Sequence, residues 1–131
     1  MERNLKMSET IKVSSLAKTW FFDIDGTICV HNGYKLFGED ILLPGAKEFF
    51  SGFSTEDKII LTTSRKRDVA GLTESFLKKN GIRYDEIIYD LPYGERIIVN
   101  DKKPSGLQMS IAVNTDRDVF MDVQFLVDEN L

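Results

Sequence analysis

The sequence holds one cysteine, one histidine, one tryptophan and three prolines in 131 residues. A lone cysteine, Cys29, cannot close an internal disulfide, which suits a reducing compartment. No apolar stretch approaches the roughly 20 residues of a membrane span. The opening "MERNLKMSETIK" lacks the apolar core of a signal peptide, so a cytoplasmic location is expected. Excess positive charge is lacking as well: the formal net charge is -4. Nucleic acid and anionic membranes both favour a basic surface, and neither is expected as a partner. There is no internal repeat and no low-complexity linker.

What remains is an ordinary globular composition, 42% hydrophobic and 29% charged, at a length that suits one domain. Residues 1–17 mix charge with scattered apolar positions (Ile11, Val13, Leu16) and read as a partly flexible extension whose first ten residues are loose. Residues 18–131 read as the single domain. Five short apolar runs punctuate it: "TWFFDI", "KIILTT", "EIIYD", "RIIVND" and "SIAVN". Each is strand-length and rich in β-branched or aromatic residues. Between the second and third, "DVAGLTESFLKKNG" places Val69, Leu72, Phe76 and Leu77 at helical spacing, with Lys78 and Lys79 in the last turn and Gly81 as a cap. "LPGAKEFFSGF" reads as an earlier helix, with Pro44 near its start, Gly52 near its end, and Phe49, Phe50 and Phe53 facing the core. Strands alternating with helices predict an α/β fold with a mostly parallel sheet.

Ligands of such sheets gather at the carboxyl ends of the strands. The first run ends in Asp23 and Asp25, then Gly26. The second ends in Thr62, Thr63 and Ser64, then Arg65. The fourth ends in Asn100 and Asp101, then Lys102 and Lys103. Side chains two apart on a strand share a face roughly 7 Å apart, so Asp23 and Asp25 can flank one reacting group, with Asp101 arriving from a neighbouring strand. Three acids in one crevice need a cation, and hard oxygen ligands select Mg²⁺. An aspartate is ionised at neutral pH and attacks phosphorus without a separate base. A second carboxyl can protonate the leaving oxygen and later activate water. A hydroxyl at the next strand end can hold a phosphoryl oxygen, and Gly26 lets backbone amides approach the phosphate.

"FDIDGT", "IILTTSR" and "IIVND", in this order, resemble motifs I, II and IV of the haloacid dehalogenase (HAD) superfamily of phosphatases, over roughly residues 18–115. The resemblance implies a Rossmann-like three-layer sandwich with the motif I strand at the centre of the sheet. It assigns Asp23 as nucleophile and metal ligand, and Asp25 as acid/base, touching the metal through its backbone carbonyl. Thr63 takes the motif II hydroxyl, with Thr62 one position away, and Asp101 ligates the metal with Asn100 beside it. Gly26, Ser64, Arg65 and Lys103 complete the phosphate-binding candidates.

Two departures stand out. Where the family places its motif III lysine, "YDEIIYDLPYGER" has Leu91; Arg65, Arg96 and Lys103 are candidate substitutes, with Arg96 expected at the far end of its strand. Second, "ICVHNGYKLFGEDILLPG" and the short segment after motif II leave no room for a lid domain. Capless members resemble enzymes that act on large substrates or borrow a neighbouring subunit, so self-association is expected. "LPYGERIIVNDKKPSGLQMSIAVN" looks like small phosphatase-like proteins of surface-polysaccharide and sugar-phosphate pathways.

Other readings of the acids fit less well. Glycosyltransferases that bind metal through Asp-x-Asp need a longer chain, and receiver domains present their acids in a different strand order. His31 falls in a loop after motif I. The expected activity is Mg²⁺-dependent hydrolysis of a small phosphorylated substrate, a sugar phosphate or related metabolite, through an aspartyl-phosphate. The alternative is a degenerate member that binds a phosphorylated ligand or partner without turnover.

Overall fold

In the computed structural model, residues 9–131 are described. The expectation of a loose start falls almost wholly on residues 1–8, outside them. Glu9–Val13, inside the segment read as an extension, is a strand, β1.

β2 is Thr19–Asp23, β3 is Lys58–Thr62 and β4 is Glu86–Ile88. They pair in parallel in the order β2-β3-β4. Helix α2, Ala46–Ser51, links the first two, and α3, Ala70–Lys79, links the last two behind a 3₁₀ turn at Arg67–Val69. Gly52 caps α2, while α3 ends at Asn80 before Gly81 turns the chain with φ +69°. A short helix, α1, spans Gly33–Phe37. The last strand, β5, is Val123–Val127 and pairs in parallel with β1 as a separate two-stranded sheet. The α/β class with parallel strands is thus as expected.

Alternation across the three strands separates two faces. Phe22, Ile59 and Leu61 join one buried cluster with Ile24, Ile28, Ala46 and Phe50, and with Leu77 from α3. Aromatic rings dominate it: Phe22 lies 4.8 Å from Phe50, and Trp20 lies 5.1 Å from Phe53 and 4.9 Å from Phe125. Such rings pack at offset or edge-on angles that add to area burial. The last contact joins the two sheets. On the opposite face, Phe21 and Ile88 are 52% and 43% exposed. Asp23 and Thr62 are register partners at the carboxyl end of that open face.

Two expectations are corrected. "RIIVND" and "SIAVN" are not strands; residues 96–101 and 110–114 have no regular structure. Ile97 and Val99 are 85% and 91% exposed, and among the described residues no strand pairs with them. Strand preference is a preference for a paired, half-buried surface, and without a partner edge it goes unrealised. In consequence β2, the strand that ends in Asp23, is among the described residues an edge strand of its sheet rather than the central strand that the resemblance implied.

Candidate active site

β2 delivers Asp23 to the end of the sheet, and the chain leaves it in a tight turn. The amides of Thr27, Ile28 and Cys29 all donate to the Ile24 carbonyl. Gly26 permits this turn with φ +83°, a region that side chains rarely enter. The Asp23 side chain is 44% exposed. Thr27 Oγ1 donates to its Oδ2 at 3.0 Å, and Arg96 Nη2 lies 3.7 Å from its Oδ1. Burial pushes the Asp23 carboxyl up from its ordinary range, against the Thr27 bond and the Arg96 charge, which pull it down. Arg96 therefore reaches the nucleophile candidate, contrary to its expected place at the far end of a strand; the strand that would have set that distance does not form.

Asp25 is held differently. Arg65 Nε donates to Asp25 Oδ2 at 2.8 Å and Nη2 to Asp25 Oδ1 at 2.9 Å. The other side of the same guanidinium donates to both oxygens of Asp40, at 3.0 and 2.7 Å, and Nη1 also donates to Thr73 Oγ1 at 2.9 Å. Tyr34 lies under it, 4.3 Å from ring centre to Cζ. Every guanidinium donor is thus engaged in a planar double fork. The side chains of Arg65 and Asp40 are 2% and 1% exposed, and that of Asp25 is 17% exposed. Desolvation pulls the Arg65 pKa down, but the bonds and charges of the two carboxylates outweigh it and hold the group protonated.

Asp25, Cys29 and Asp40 present ligand atoms within 4.8 Å of one another, a group able to hold a metal ion. Here the Arg65 guanidinium bonds both carboxylates. Burial and the nearby carboxylates push the Cys29 thiol up, keeping it protonated. A neutral thiol and two paired carboxylates do not suit Mg²⁺, which asks for free oxygen donors.

The remaining candidates are placed as follows. Thr63 is 1% exposed, and its hydroxyl accepts the Arg65 amide at 3.0 Å. Thr62 Oγ1 donates to the Phe22 carbonyl at 3.4 Å. Ser64 Oγ donates to the Pro92 carbonyl at 3.3 Å, and the Leu91 amide donates to the Thr63 carbonyl at 3.1 Å. Asn100 Nδ2 donates to the Asp101 carbonyl at 3.1 Å. Asn100, Asp101 and Lys103 are exposed, and among the described residues none forms a hydrogen bond or ion pair with Asp23 or Asp25. The structure thus brings together Asp23, Asp25, Arg65 and Arg96, and leaves the 100–103 group apart. Two depressions of about 490 and 540 Å³ flank α3; the second borders Tyr34 and Asp40, and neither includes Asp23.

Sequence reasoning missed Asp40, Thr73 and Thr27. Asp40 carries no local signal, since it sits in a loop and meets Arg65 only through the fold. Thr73 had one: it stands midway between Val69 and Leu77 on the inward helix face, where an apolar residue is usual.

No family model matches this sequence, and no curated protein matches it. Two chains of solved structures do, one described as the structure of the Pnkp1/Rnl/Hen1 RNA repair complex and the other as the structure of the Pnkp1/Rnl/Hen1 complex. Each is 24% identical with a TM-score of 0.49 over 72% of this chain. The matches cover 32% and 35% of those chains, so this chain spans about a third of their length.

Proposed function

We propose that this chain is a capless phosphatase of the HAD type, hydrolysing a phosphomonoester such as a sugar phosphate through an aspartyl-phosphate on Asp23. One observation carries the reading. Asp23 stands at the carboxyl end of a parallel strand, half-exposed, with a hydroxyl donor on one oxygen and a guanidinium near the other. That is the environment an attacking carboxylate needs: accessible, oriented, and beside a cation that offsets the incoming phosphate.

Asp23 Oδ1 attacks phosphorus while Oδ2 stays oriented by Thr27. Arg96 takes the place of the motif III lysine, balancing the nucleophile and the phosphoryl oxygens together. Asp25 gives a proton to the leaving oxygen and later takes one from water. Both its oxygens are bonded to Arg65, so the fork must loosen or turn for that transfer. Of the acids present, Asp23 and Asp101 are the oxygen donors that would hold Mg²⁺, and the Asp25–Cys29–Asp40 group is not. When bound, the ion supplies charge neutralisation that lets a phosphate dianion approach the carboxylates. Asp101 would have to approach Asp23 for this.

A second reading, binding without turnover, is favoured by the same pair of hydrogen bonds that Arg65 donates to Asp25, which occupies the acid/base. Phosphate release from a panel of phosphorylated metabolites, with and without Mg²⁺, separates the two. Mg²⁺-dependent release that vanishes in Asp23→Asn supports catalysis. Saturable binding with no release from any substrate supports the binding protein instead.

A further inference from the structure

The turn that joins Asp23 to Asp25 and beyond has a second chain segment lying across it. A Cβ placed on Gly26 would lie 3.2 Å from Arg117 Cγ, 3.7 Å from His31 Cβ and 3.8 Å from His31 Nδ1. Two hydrogen bonds hold the segment there. The Asp118 amide donates to the Gly26 carbonyl at 2.8 Å, and the His31 amide donates to Asp118 Oδ1 at 2.7 Å. Asp118 adopts φ +67°, and the Val119 amide closes the turn onto the Asp116 carbonyl at 3.2 Å. Arg117 is exposed, and among the described residues it takes part in no hydrogen bond or ion pair, although Asp116 and Asp118 flank it. It contrasts with Arg65, whose donors are all occupied.

We infer that Arg117, with His31 beside it, forms the subsite for the leaving group, and that the substrate carries a second anionic group there, a carboxylate or a further phosphate. The inference rests on the phosphatase reading, because it places the leaving group on the side of Asp25 and its Gly26 turn. The occupancy of the cations supports it. Asp25 and Asp40 engage Arg65 and Asp23 lies beside Arg96, while Asp116 and Asp118 neighbour Arg117 in sequence and, among the described residues, form no ion pair with it, so a second anion on the substrate needs another cation. Arg117 is held at the turn with its donors free. A charge-assisted contact of this kind changes affinity by roughly tenfold or more.

Phosphoglycolate and 2-hydroxyethyl phosphate test this, since they differ at the leaving-group end by a carboxylate. Binding is measured by calorimetry with Mg²⁺ in the Asp23→Asn protein, and turnover in the otherwise unchanged chain. The expected result is at least tenfold tighter binding of phosphoglycolate, a preference lost in Arg117→Ala and largely kept in Arg117→Lys. Equal affinity for the two ligands, absence of binding to both, or an equal loss for both on Arg117→Ala would overturn the subsite. If the Arg117-dependent preference is found in binding but the unmodified chain releases phosphate from neither compound nor from the wider panel, the subsite stands and the phosphatase reading fails.

Discussion

Arg65 is the residue on which most of the polar interior depends. Removing it leaves the carboxylates of Asp40, 1% exposed, and Asp25, 17% exposed, without their cation, and breaking a buried pair from one side typically costs about 3–5 kcal/mol. Arg65→Met should therefore lower the melting temperature sharply, as thermal unfolding would record, whereas Asp40→Asn, which leaves Asp25 paired, should cost less. Asp23 works in the opposite sense. Burial raises its folded-state pKa above the ordinary 3.8, so folding favours its protonated form. The wild type then loses stability as pH rises through that raised pKa, and an asparagine does not. In buffer without divalent ions, Asp23→Asn should match the wild type in melting temperature near pH 3 and exceed it at pH 7; a gap that widens toward acid would contradict this. For Arg96 the expectation is kinetic. Loss of one preorganised charge at a reacting centre typically costs a factor on the order of 100 in kcat, so Arg96→Ala should fall by about that much. Leu91→Lys should gain little, because Arg96 already stands beside Asp23.

Among elements, the segment 97–101 draws most of the interest. It has the composition of a strand and carries Asp101, yet among the described residues it lies unpaired and β2 has no partner on its outer edge. If Asp101 ligates Mg²⁺ together with Asp23, the ion should slow amide hydrogen exchange across residues 97–101, and Asp101→Asn should remove the effect. Unchanged exchange at saturating Mg²⁺ would remove Asp101 from the ligand set. The same segment marks the boundary of what was legible from residues alone. β2, β3, β4, α2 and α3 follow from local pattern and capping, because each buries its own apolar face within a βαβ unit of short span. β5 was missed, since "VQFLV" gains strand character only by pairing with "ETIKV" at the other end of the chain. The site was legible in part for the same reason. Asp23 and Asp25 belong to one strand end, while Asp40 and Arg96 reach the site through loops that no spacing rule describes.

At the scale of the whole molecule, the sheet has one covered face and one open. Phe21 and Ile88 on the open face, and Ile97 and Val99 in the segment after β4, leave apolar surface in water, and exposed apolar surface that gathers into a patch tends to be covered by association. A second copy is the expected cover. Sedimentation should give a mass above 15.0 kDa that falls toward the monomer in Phe21→Glu; a monomeric wild type at assay concentrations would end that expectation. The parallel pairing of β1 with β5 bears on something else, the order in which the chain can fold. All three strands of the β2-β3-β4 sheet exist once residue 88 is made, so they can pair while later residues are still being synthesised, and Phe120 joins their core afterwards. β1 is made first and has to wait for the last strand. Closing so long a loop is slow and comes after the local contacts that reward folding early. Trp20, in ring contact with Phe125 across the two sheets, is placed to report that final closure as a late change in its own fluorescence.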